Sequence, residues 1–186
     1  YMNGELRDQI IGLVPTRPET EFPKALEMSR HFVLHIGPTN CGKTYHALER
    51  LQQAANGVYL GPLRLLALEV YEKMKDAGIP CTMLTGEERI YEENSRIISS
   101  TVEMLDLDQQ YDVAVIDEAQ MIADSDRGHS WTRAILGVQA AEIHVCLSPS
   151  AKEVITHLIS LCGDTYEAHQ YERKTRLLCE EKPFSF

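Results

Sequence analysis

The feature that most constrains the fold of this chain is the segment Gly37-Pro-Thr-Asn-Cys-Gly-Lys-Thr44, which fits the pattern G-x-x-x-x-G-K-[ST] without a mismatch. An apolar run at 31–36 precedes it, and helical spacing from Lys43 to Ala55 follows it. Glycines allow backbone N–H groups to turn towards phosphate oxygens, and a helix N-terminus adds the positive end of its dipole. The segment therefore predicts a phosphate-binding loop between a strand and a helix.

Two positions of this loop have specific expected roles. Lys43 would neutralise the β and γ phosphates of a bound nucleotide, and the Thr44 hydroxyl would ligate Mg²⁺. A chance glycine turn before a helix also fits the pattern, but the strand before it and the helix after it disfavour that interpretation. The predicted nucleotide-binding residues are Gly37, Pro38, Thr39, Asn40, Cys41, Gly42, Lys43 and Thr44.

A second apolar run, Val113–Ile116, ends in the acidic pair Asp117 and Glu118. Unpaired charge beside a core is costly, so paired carboxylates at the end of a buried strand need a partner. A metal ion is one such partner: Asp117 would hold Mg²⁺, and Glu118 would orient or deprotonate the attacking water. The alternative is a helix N-terminus with favourably placed acids. The phosphate loop favours the catalytic interpretation.

Strands alternate with helices along most of the chain, which predicts an α/β fold with a doubly wound, mostly parallel sheet and helices on both faces. We expect an N-terminal extension at 1–30, one nucleotide-binding domain at 31–171 and a linker at 172–186. The predicted strands are 31–36, 57–60, 80–84, 96–99, 111–116, 142–147 and 165–170, and the predicted helices are 43–55, 62–77, 101–107 and 150–161.

Composition limits the partners that the chain can bind. Lys and Arg number 18 against 28 Asp and Glu, so the formal net charge is −10 and any nucleic acid must be bound by a local surface. The five cysteines are scattered without a C-x-x-C pair, which indicates reduced thiols and argues against a zinc ribbon. No apolar run approaches the ~18 residues of a membrane span, so no membrane partner is expected.

Two classes of P-loop protein share the segment Asp117-Glu-Ala-Gln120, which resembles both superfamily two helicases and type II thymidine kinases. A kinase of that type also implies a cysteine-ligated zinc site, which this spacing does not supply. Further segments resemble helicase motifs in helicase order; they are Pro62–Ala67 (motif Ia), Thr85–Glu88 (motif Ib), Ser100–Met104 and Ser148–Ala151 (motif III). A nucleotide-gated RNA-binding module that does not unwind duplexes remains a third alternative.

The resemblance narrows to the suppressor-of-Var family, the mitochondrial degradosome RNA helicases and their bacterial relatives. It covers roughly residues 31–178, and Arg127–Gly137 is its most specific segment. It implies the first RecA-like lobe of an ATP- and Mg²⁺-dependent RNA helicase that unwinds duplex RNA. It also implies a second RecA-like lobe in the same polypeptide, an exoribonuclease partner, and a bacterial cytoplasm or mitochondrial matrix. Ser148-Pro-Ser150 departs from the acidic motif III of such relatives, and no adenine-reading Q motif is found.

The same resemblance implies a set of nucleic-acid contacts. Arg64 is expected to donate to an RNA phosphate, with Thr85, Gly86 and Thr101 offering hydroxyl and backbone donors to the same strand. Each would otherwise be an ordinary surface or loop residue. Gln120 is expected to hydrogen-bond to the motif III segment or to the second lobe, which would couple hydrolysis to lobe closure. An unremarkable helix-surface glutamine is the alternative.

Overall fold

The computed structural model describes residues 18–38 and 41–172. The expectations for 1–17 and 173–186 therefore lie outside the described residues. The strands are β1 (His31–Ile36), β2 (Gly57–Gly61), β3 (Cys81–Leu84), β4 (Arg89–Ile90), β5 (Ile97–Thr101), β6 (Gln110–Ile116), β7 (Gln139–Leu147) and β8 (Thr165–Gln170). The helices are α1 (Pro23–Leu26), α2 (Lys43–Gln52), α3 (Arg64–Asp76), α4 (Gly128–Gly137) and α5 (Lys152–Leu161).

The described strands form one eight-stranded sheet in the order β4-β3-β5-β2-β6-β7-β1-β8. Every neighbouring pair is parallel except β3 and β4. Parallel neighbours require crossover helices, which cover the sheet and explain why its central strands are apolar along their length. The α/β fold with a mostly parallel sheet is confirmed.

Hydrophobic cores lie on both faces of the sheet. On one face, Trp131 of α4 and Ile155 of α5 pack in the same cluster as Leu34 of β1. On the other, Leu51 of α2 and Met74 of α3 pack in a second cluster. Helices therefore flank the sheet on both sides, as a doubly wound arrangement requires.

The structure differs from the sequence-based expectations in four elements. The helix expected at 101–107 is a single 3-10 turn at Val102–Met104, β4 was not expected, and β7 begins at Gln139 instead of residue 142. No helix was expected at 128–137, but α4 spans Gly128–Gly137. A helix that opens on glycine without a side-chain N-cap lacks the usual start signal, so its buried face alone could reveal it.

Residues immediately before β1 are tied into the core through Arg30, which is 2% exposed. Its Nε and Nη2 donate to Asp164 Oδ2 at 3.0 and 2.7 Å. Its Nη1 donates to the carbonyl oxygens of Ile135 and Val138 at 3.1 and 2.9 Å. A buried guanidinium with this many partners fastens the start of β1 to the ends of α4 and α5. The domain boundary at residue 30 stays a prediction.

A cluster of histidines lies on the face of the sheet that carries α2. His35 of β1 is buried, and its two ring nitrogens contact the Tyr171 hydroxyl and His144 Nδ1, each at 2.8 Å. His144 also contacts Glu142. Burial, followed by the neighbouring histidines His144 and His169, lowers the pKa of His35 to about 4. His35 therefore stays neutral in the folded protein at neutral pH.

Candidate functional site

The phosphate loop and the acidic pair meet at one edge of the sheet. β1 and β6 lie on either side of β7, and all three strands run in the same direction. The segment after Ile36 and the carboxylates after Ile116 therefore emerge at neighbouring carboxyl ends. This edge is where open α/β sheets bind their ligands.

The structure requires glycine at both Gly37 and Gly42, which are the described glycines of the loop. Gly42 has φ of 87°, in the left-handed region where other residues are strained, and it directly precedes α2. A Cβ on Gly37 would lie 2.7 Å from Cys41 Sγ and 2.8 Å from the Tyr171 carbonyl oxygen, so only glycine fits there. Thr39 and Asn40 lie outside the described residues.

Lys43 lies inside the loop, with 6% of its surface exposed. Its ammonium group donates to the carbonyl oxygen of Pro38 at 2.9 Å, across the loop. The Cys146 thiol donates to the Lys43 carbonyl oxygen from β7 at 3.8 Å, and burial raises the pKa of that thiol well above its usual range. In the part of the chain that the structure describes, the ammonium group of Lys43 is bonded to a neutral carbonyl oxygen, and an anionic partner would stabilise its buried charge.

Asp117 is the other buried charge of the site, with 4% of its surface exposed. Its Oδ1 accepts from the Thr44 hydroxyl at 3.2 Å and from the Glu118 N–H at 2.9 Å. Its Oδ2 accepts from the Tyr59 hydroxyl at 2.7 Å. Burial is the main influence on the pKa of Asp117 and raises it, while the donated hydrogen bonds oppose that change. These bonds fix the carboxylate beside Thr44.

Sequence reasoning missed the role of Tyr59 and left Trp131 without one. Tyr59 is 1% exposed in the middle of β2, and a phenol buried at that depth requires a hydrogen-bond partner. The fully buried indole of Trp131 donates from Nε1 to the backbone carbonyl oxygen of Asp117 at 3.0 Å. Polar aromatic side chains in otherwise apolar elements were the available signal. They hold Asp117 from both sides of the sheet.

Glu118 and Gln120 continue the site away from the buried carboxylate. Glu118 has φ of 51° and ψ of 48°, a left-handed conformation that is uncommon for a residue with a Cβ. Such strain often lies at functional sites, where the surrounding structure enforces it. Gln120 Nε2 donates to Glu118 Oε2 at 3.1 Å, and Gln120 Oε1 accepts from the Ser148 N–H at 3.2 Å. Of the two partners expected for Gln120, the structure brings it to the motif III segment.

A cleft of about 380 Å³ lies between the phosphate loop and the acidic pair, and its volume is within the usual range for small-molecule sites. The oxygens of Thr44 and Asp117 are the hard donors that Mg²⁺ prefers, and they lie side by side. The buried Lys43 and the turn at Gly42 line the same cleft beside these oxygens. The cleft is lined by Cys41, Gly42, Lys43, Thr44, Tyr45, Leu66, Asp117 and Glu118.

The expected nucleic-acid contacts follow neighbouring strands of the other half of the sheet. Arg64 begins α3 after β2 and is exposed, and its Nη1 donates to Glu88 Oε1 at 3.0 Å. Thr85 is buried, and its hydroxyl donates to the Glu88 carbonyl oxygen and accepts from the Glu88 N–H. Gly86 is exposed beside open space, and Thr101 is half-buried at the end of β5. The hydroxyl of Thr85 therefore shapes its own turn.

Arg127 joins two of these segments and was not predicted. Its Nη2 donates to the Pro62 carbonyl oxygen at 2.7 Å, and its Nε donates to Glu103 Oε2 at 2.8 Å. Its guanidinium also lies 5.3 Å from the centre of the Trp131 ring. Arg127 thereby links the candidate nucleic-acid surface to the residue that holds the backbone of Asp117.

Comparison with known proteins places this geometry in a family. The family described as the DEXQ-box helicase domain of Suv3 matches residues 18–171. The mitochondrial ATP-dependent RNA helicase SUPV3L1 of Danio rerio is 51% identical over 162 residues, which is 85% of this chain and 21% of the relative. The mitochondrial ATP-dependent RNA helicase SUV3 of Saccharomyces cerevisiae is 45% identical over 173 residues, 90% of this chain and 24% of the relative. The chain thus spans about a fifth to a quarter of the length of these relatives.

Solved structures share the fold at lower sequence identity. The Pyrococcus furiosus Hef helicase domain is 21% identical with a TM-score of 0.53, covering 87% of this chain and 39% of that one. Saccharomyces cerevisiae Dbp5, bound to Nup159, Gle1, IP6 and ADP, is 17% identical with a TM-score of 0.54, covering 91% and 52%. The fold is therefore that of a RecA-like helicase domain.

Proposed function

Because this chain belongs to the Suv3 family of DEXQ-box helicase domains, we propose that it is the nucleotide-binding first lobe of an ATP-dependent RNA helicase. The observation that carries the proposal is the cleft at the ends of β1 and β6. The buried Lys43 and the buried Asp117 line this cleft together with Thr44. A site with a separated cation and carboxylate suits a phosphate chain together with its metal ion. The family match favours a helicase, and neither thymidine kinase nor any other alternative gains support from it.

The residues of the cleft divide the binding of Mg-ATP between them. Lys43 exchanges its contact with the Pro38 carbonyl for a phosphate oxygen, which gives its buried charge an anionic partner. The N–H groups at the start of α2 donate to the same phosphates. Thr44 and Asp117 hold Mg²⁺, directly or through water, while Tyr59 keeps the carboxylate in place. The bound Mg²⁺ would neutralise charge that develops on the phosphate oxygens.

Glu118 is the residue that we assign to the attacking water. It follows the metal-binding carboxylate directly, and the strained backbone at this position directs its side chain. Gln120 binds one oxygen of Glu118 and the backbone of Ser148, so it sets the orientation of the carboxylate relative to the motif III segment. A shift of that segment would move Glu118 through this bond. Hydrolysis would then respond to closure of the second lobe.

RNA is assigned to the ends of β2, β3 and β5, beside the nucleotide cleft. The exposed ion pair between Arg64 and Glu88 contributes little to folding stability, so a phosphate can replace the carboxylate at low cost. Gly86 and Thr101 offer backbone and hydroxyl donors next to it, and Thr85 supports the turn. The overall charge of −10 makes this local surface necessary for RNA binding.

We also propose that this domain is one lobe of a longer, two-lobed polypeptide. A second RecA-like lobe of the same polypeptide would supply the arginine that completes the site, and an exoribonuclease would consume the released strand. Both relatives reported above are named as mitochondrial, which supports a mitochondrial matrix location over a bacterial cytoplasm. In the described residues, no helix is both long and apolar enough to cross a bilayer.

Product analysis of ATP turnover tests the proposed activity. The chain is incubated with Mg-ATP and either single-stranded RNA or thymidine. We expect no thymidine monophosphate and only slow phosphate release, because a missing arginine finger reduces the rate by ~10³–10⁵ in related NTPases. Formation of thymidine monophosphate would contradict the helicase assignment. Fast RNA-stimulated turnover by this chain would contradict the requirement for a second lobe.

Duplex unwinding by the two-lobed protein separates a helicase from a nucleotide-gated binding module. We expect ATP-dependent strand release by the wild-type protein and none by the Glu118→Gln variant, which keeps the size of the side chain but lacks the base. ATP binding should persist in the variant. A wild-type protein that binds RNA in an ATP-dependent way without releasing a strand would support the module.

A further inference from the structure

The nucleotide cleft contains an aromatic residue that the phosphate site does not use. Tyr45 follows Thr44 directly in α2 and lines the cleft together with Leu66 of α3. Tyr45 is 53% exposed, whereas most large apolar side chains of the described residues are buried. An exposed tyrosine and a leucine beside a polar, phosphate-binding pocket give one cleft both a charged and an apolar part.

The ring of Tyr45 is held in position by neighbours on two helices. The ammonium group of Lys73, on α3, lies 5.2 Å from the ring centre. His46 packs edge-on, with ring centres 5.7 Å apart and an angle of 78° between the planes. These contacts restrain a ring whose surface is still largely open to solvent, so little further ordering is needed when a ligand packs against it.

The position of this ring relative to the phosphate loop selects the ligand. Consecutive Cα atoms are about 3.8 Å apart, so the Tyr45 backbone is directly adjacent to the residue assigned to the metal ion. In a nucleoside triphosphate, the base follows the α-phosphate at the distance of one ribose. Flat aromatic bases stack on tyrosine rings, and such stacking contributes substantially to nucleic-acid binding. A free phosphate or a polyphosphate has no group that could use this part of the cleft.

We propose that Tyr45 stacks on the nucleobase of the bound nucleotide, with Leu66 contacting the ribose or the edge of the base. Lys73, close to the ring, strengthens the platform by a cation–π contact. This inference rests on the proposed nucleotide site and adds to it a residue that senses the base. The affinity for ATP then has two parts, one that depends on the base and one that depends on the phosphates. Tyr45 contributes to the first part and not to the second.

Calorimetric titration with two ligands separates these parts. Mg-ATP and inorganic tripolyphosphate with Mg²⁺ are each titrated into the wild-type chain and into Tyr45→Ala, Tyr45→Phe and Tyr91→Ala. Tyr45→Ala should weaken ATP binding about tenfold, equal to about 1.4 kcal/mol, and change tripolyphosphate binding less than about twofold. Tyr45→Phe should retain ATP affinity. Tyr91 is 69% exposed and does not line the cleft, so its replacement is a matched control that should change neither affinity.

The outcomes distinguish failure of this inference from failure of the nucleotide site. An equal loss for both ligands in Tyr45→Ala, or no loss for either, would overturn stacking while leaving the phosphate site intact. Absence of binding of both ligands to the wild-type chain would overturn the site and the inference together. A Tyr45→Trp variant gives an optical test: ATP should quench the new indole fluorescence, tripolyphosphate should not, and quenching by both or by neither would count against stacking.

Discussion

The hydrogen bond between Tyr59 and Asp117 allows a sharp test of how the proposed metal-binding carboxylate is held. Tyr59→Phe removes one hydroxyl from a side chain that is 1% exposed and leaves the ring in place. The lost bond is 2.7 Å long and is accepted by a buried carboxylate. Hydrogen bonds to charged groups contribute about 1.5–3 kcal/mol, so the free energy of unfolding should decrease by about that amount.

The same change should weaken the binding of magnesium nucleotide more than that of free nucleotide. Groups that orient a metal ligand typically change metal affinity by about 10- to 100-fold when they are lost. We therefore expect Tyr59→Phe to reduce affinity for Mg-ATP on the order of tenfold and to leave affinity for ATP in EDTA within about twofold. We assign phosphate binding to Lys43 and the loop, whereas the Tyr59 hydroxyl bonds to Asp117, so its loss should leave the phosphate contacts unchanged.

Urea denaturation and calorimetric titration measure the two effects. In an Asp117→Asn background, Tyr59→Phe should cost less than about 1 kcal/mol, because the charged acceptor has been removed. Tyr111→Phe is the control, since it removes a hydroxyl from another buried tyrosine that does not line the cleft. An unchanged Mg-ATP affinity in Tyr59→Phe, or an equal loss of ATP affinity with and without Mg²⁺, would show that the Tyr59 hydroxyl does not hold Asp117 for a metal ion.

Three further predictions concern residues that connect the site to its support. Gln120→Ala should leave ATP affinity within about twofold but reduce RNA-stimulated hydrolysis by the two-lobed protein on the order of tenfold, because Glu118 and Ser148 lose their link. Arg30→Met should lower the free energy of unfolding by about 3–5 kcal/mol in urea denaturation, because it leaves the carboxylate of Asp164 buried without its partner. The pKa of His35 is lowered from 6.5 to about 4. Between pH 6.5 and about pH 4, the unfolded chain therefore binds a proton at this histidine that the folded protein does not bind. Stability is therefore lost as pH falls through this window, by about 1–3 kcal/mol, and His35→Gln should reduce the loss in urea midpoints measured from pH 7 to 4.

Each of these predictions has a result that contradicts it. A loss of ATP affinity in Gln120→Ala equal to its loss of turnover would mean that Gln120 maintains the cleft itself. Arg30→Met with a stability change below about 1 kcal/mol would show that the buried ion pair is replaceable. For the pH series, His157→Gln is the control, because His157 is exposed on α5. Equal pH dependence in His35→Gln and the wild type would contradict the role of burial at His35.

The sequence predicted the sheet and the phosphate loop because both depend on local patterns. The apolar run of β1, the glycines of the loop and the helical spacing of α2 require no knowledge of distant residues. The helix α4 was missed because its sequence begins with Gly128 and polar residues, and only packing of Trp131 against the sheet reveals its buried face. Local signals are weakest where tertiary contacts stabilise the element.

At the site, sequence patterns single out the candidate reacting groups more readily than the residues that support them. Asp117 stands out as an acid at the end of an apolar strand, whereas its partner Tyr59 is one aromatic residue within another strand of the sheet. Register decides that pairing, because β2 and β6 are neighbours only through the crossover order of the sheet. The ion pair of Arg64 with Glu88 likewise joins two segments that sequence separates. Whether Arg64 contacts RNA stays a prediction.

Titration of Mg-ATP into the wild-type chain and into Lys43→Ala tests directly whether the cleft binds a nucleotide through its buried lysine. Lys152→Ala, which removes an exposed lysine of α5, is the matched control. We expect saturable binding by the wild type and by the control, and no detectable binding by Lys43→Ala at the same concentrations. A thermal unfolding transition like that of the wild type would show that Lys43→Ala is folded. Unchanged affinity for Mg-ATP in this folded variant would contradict the assignment of the phosphate loop.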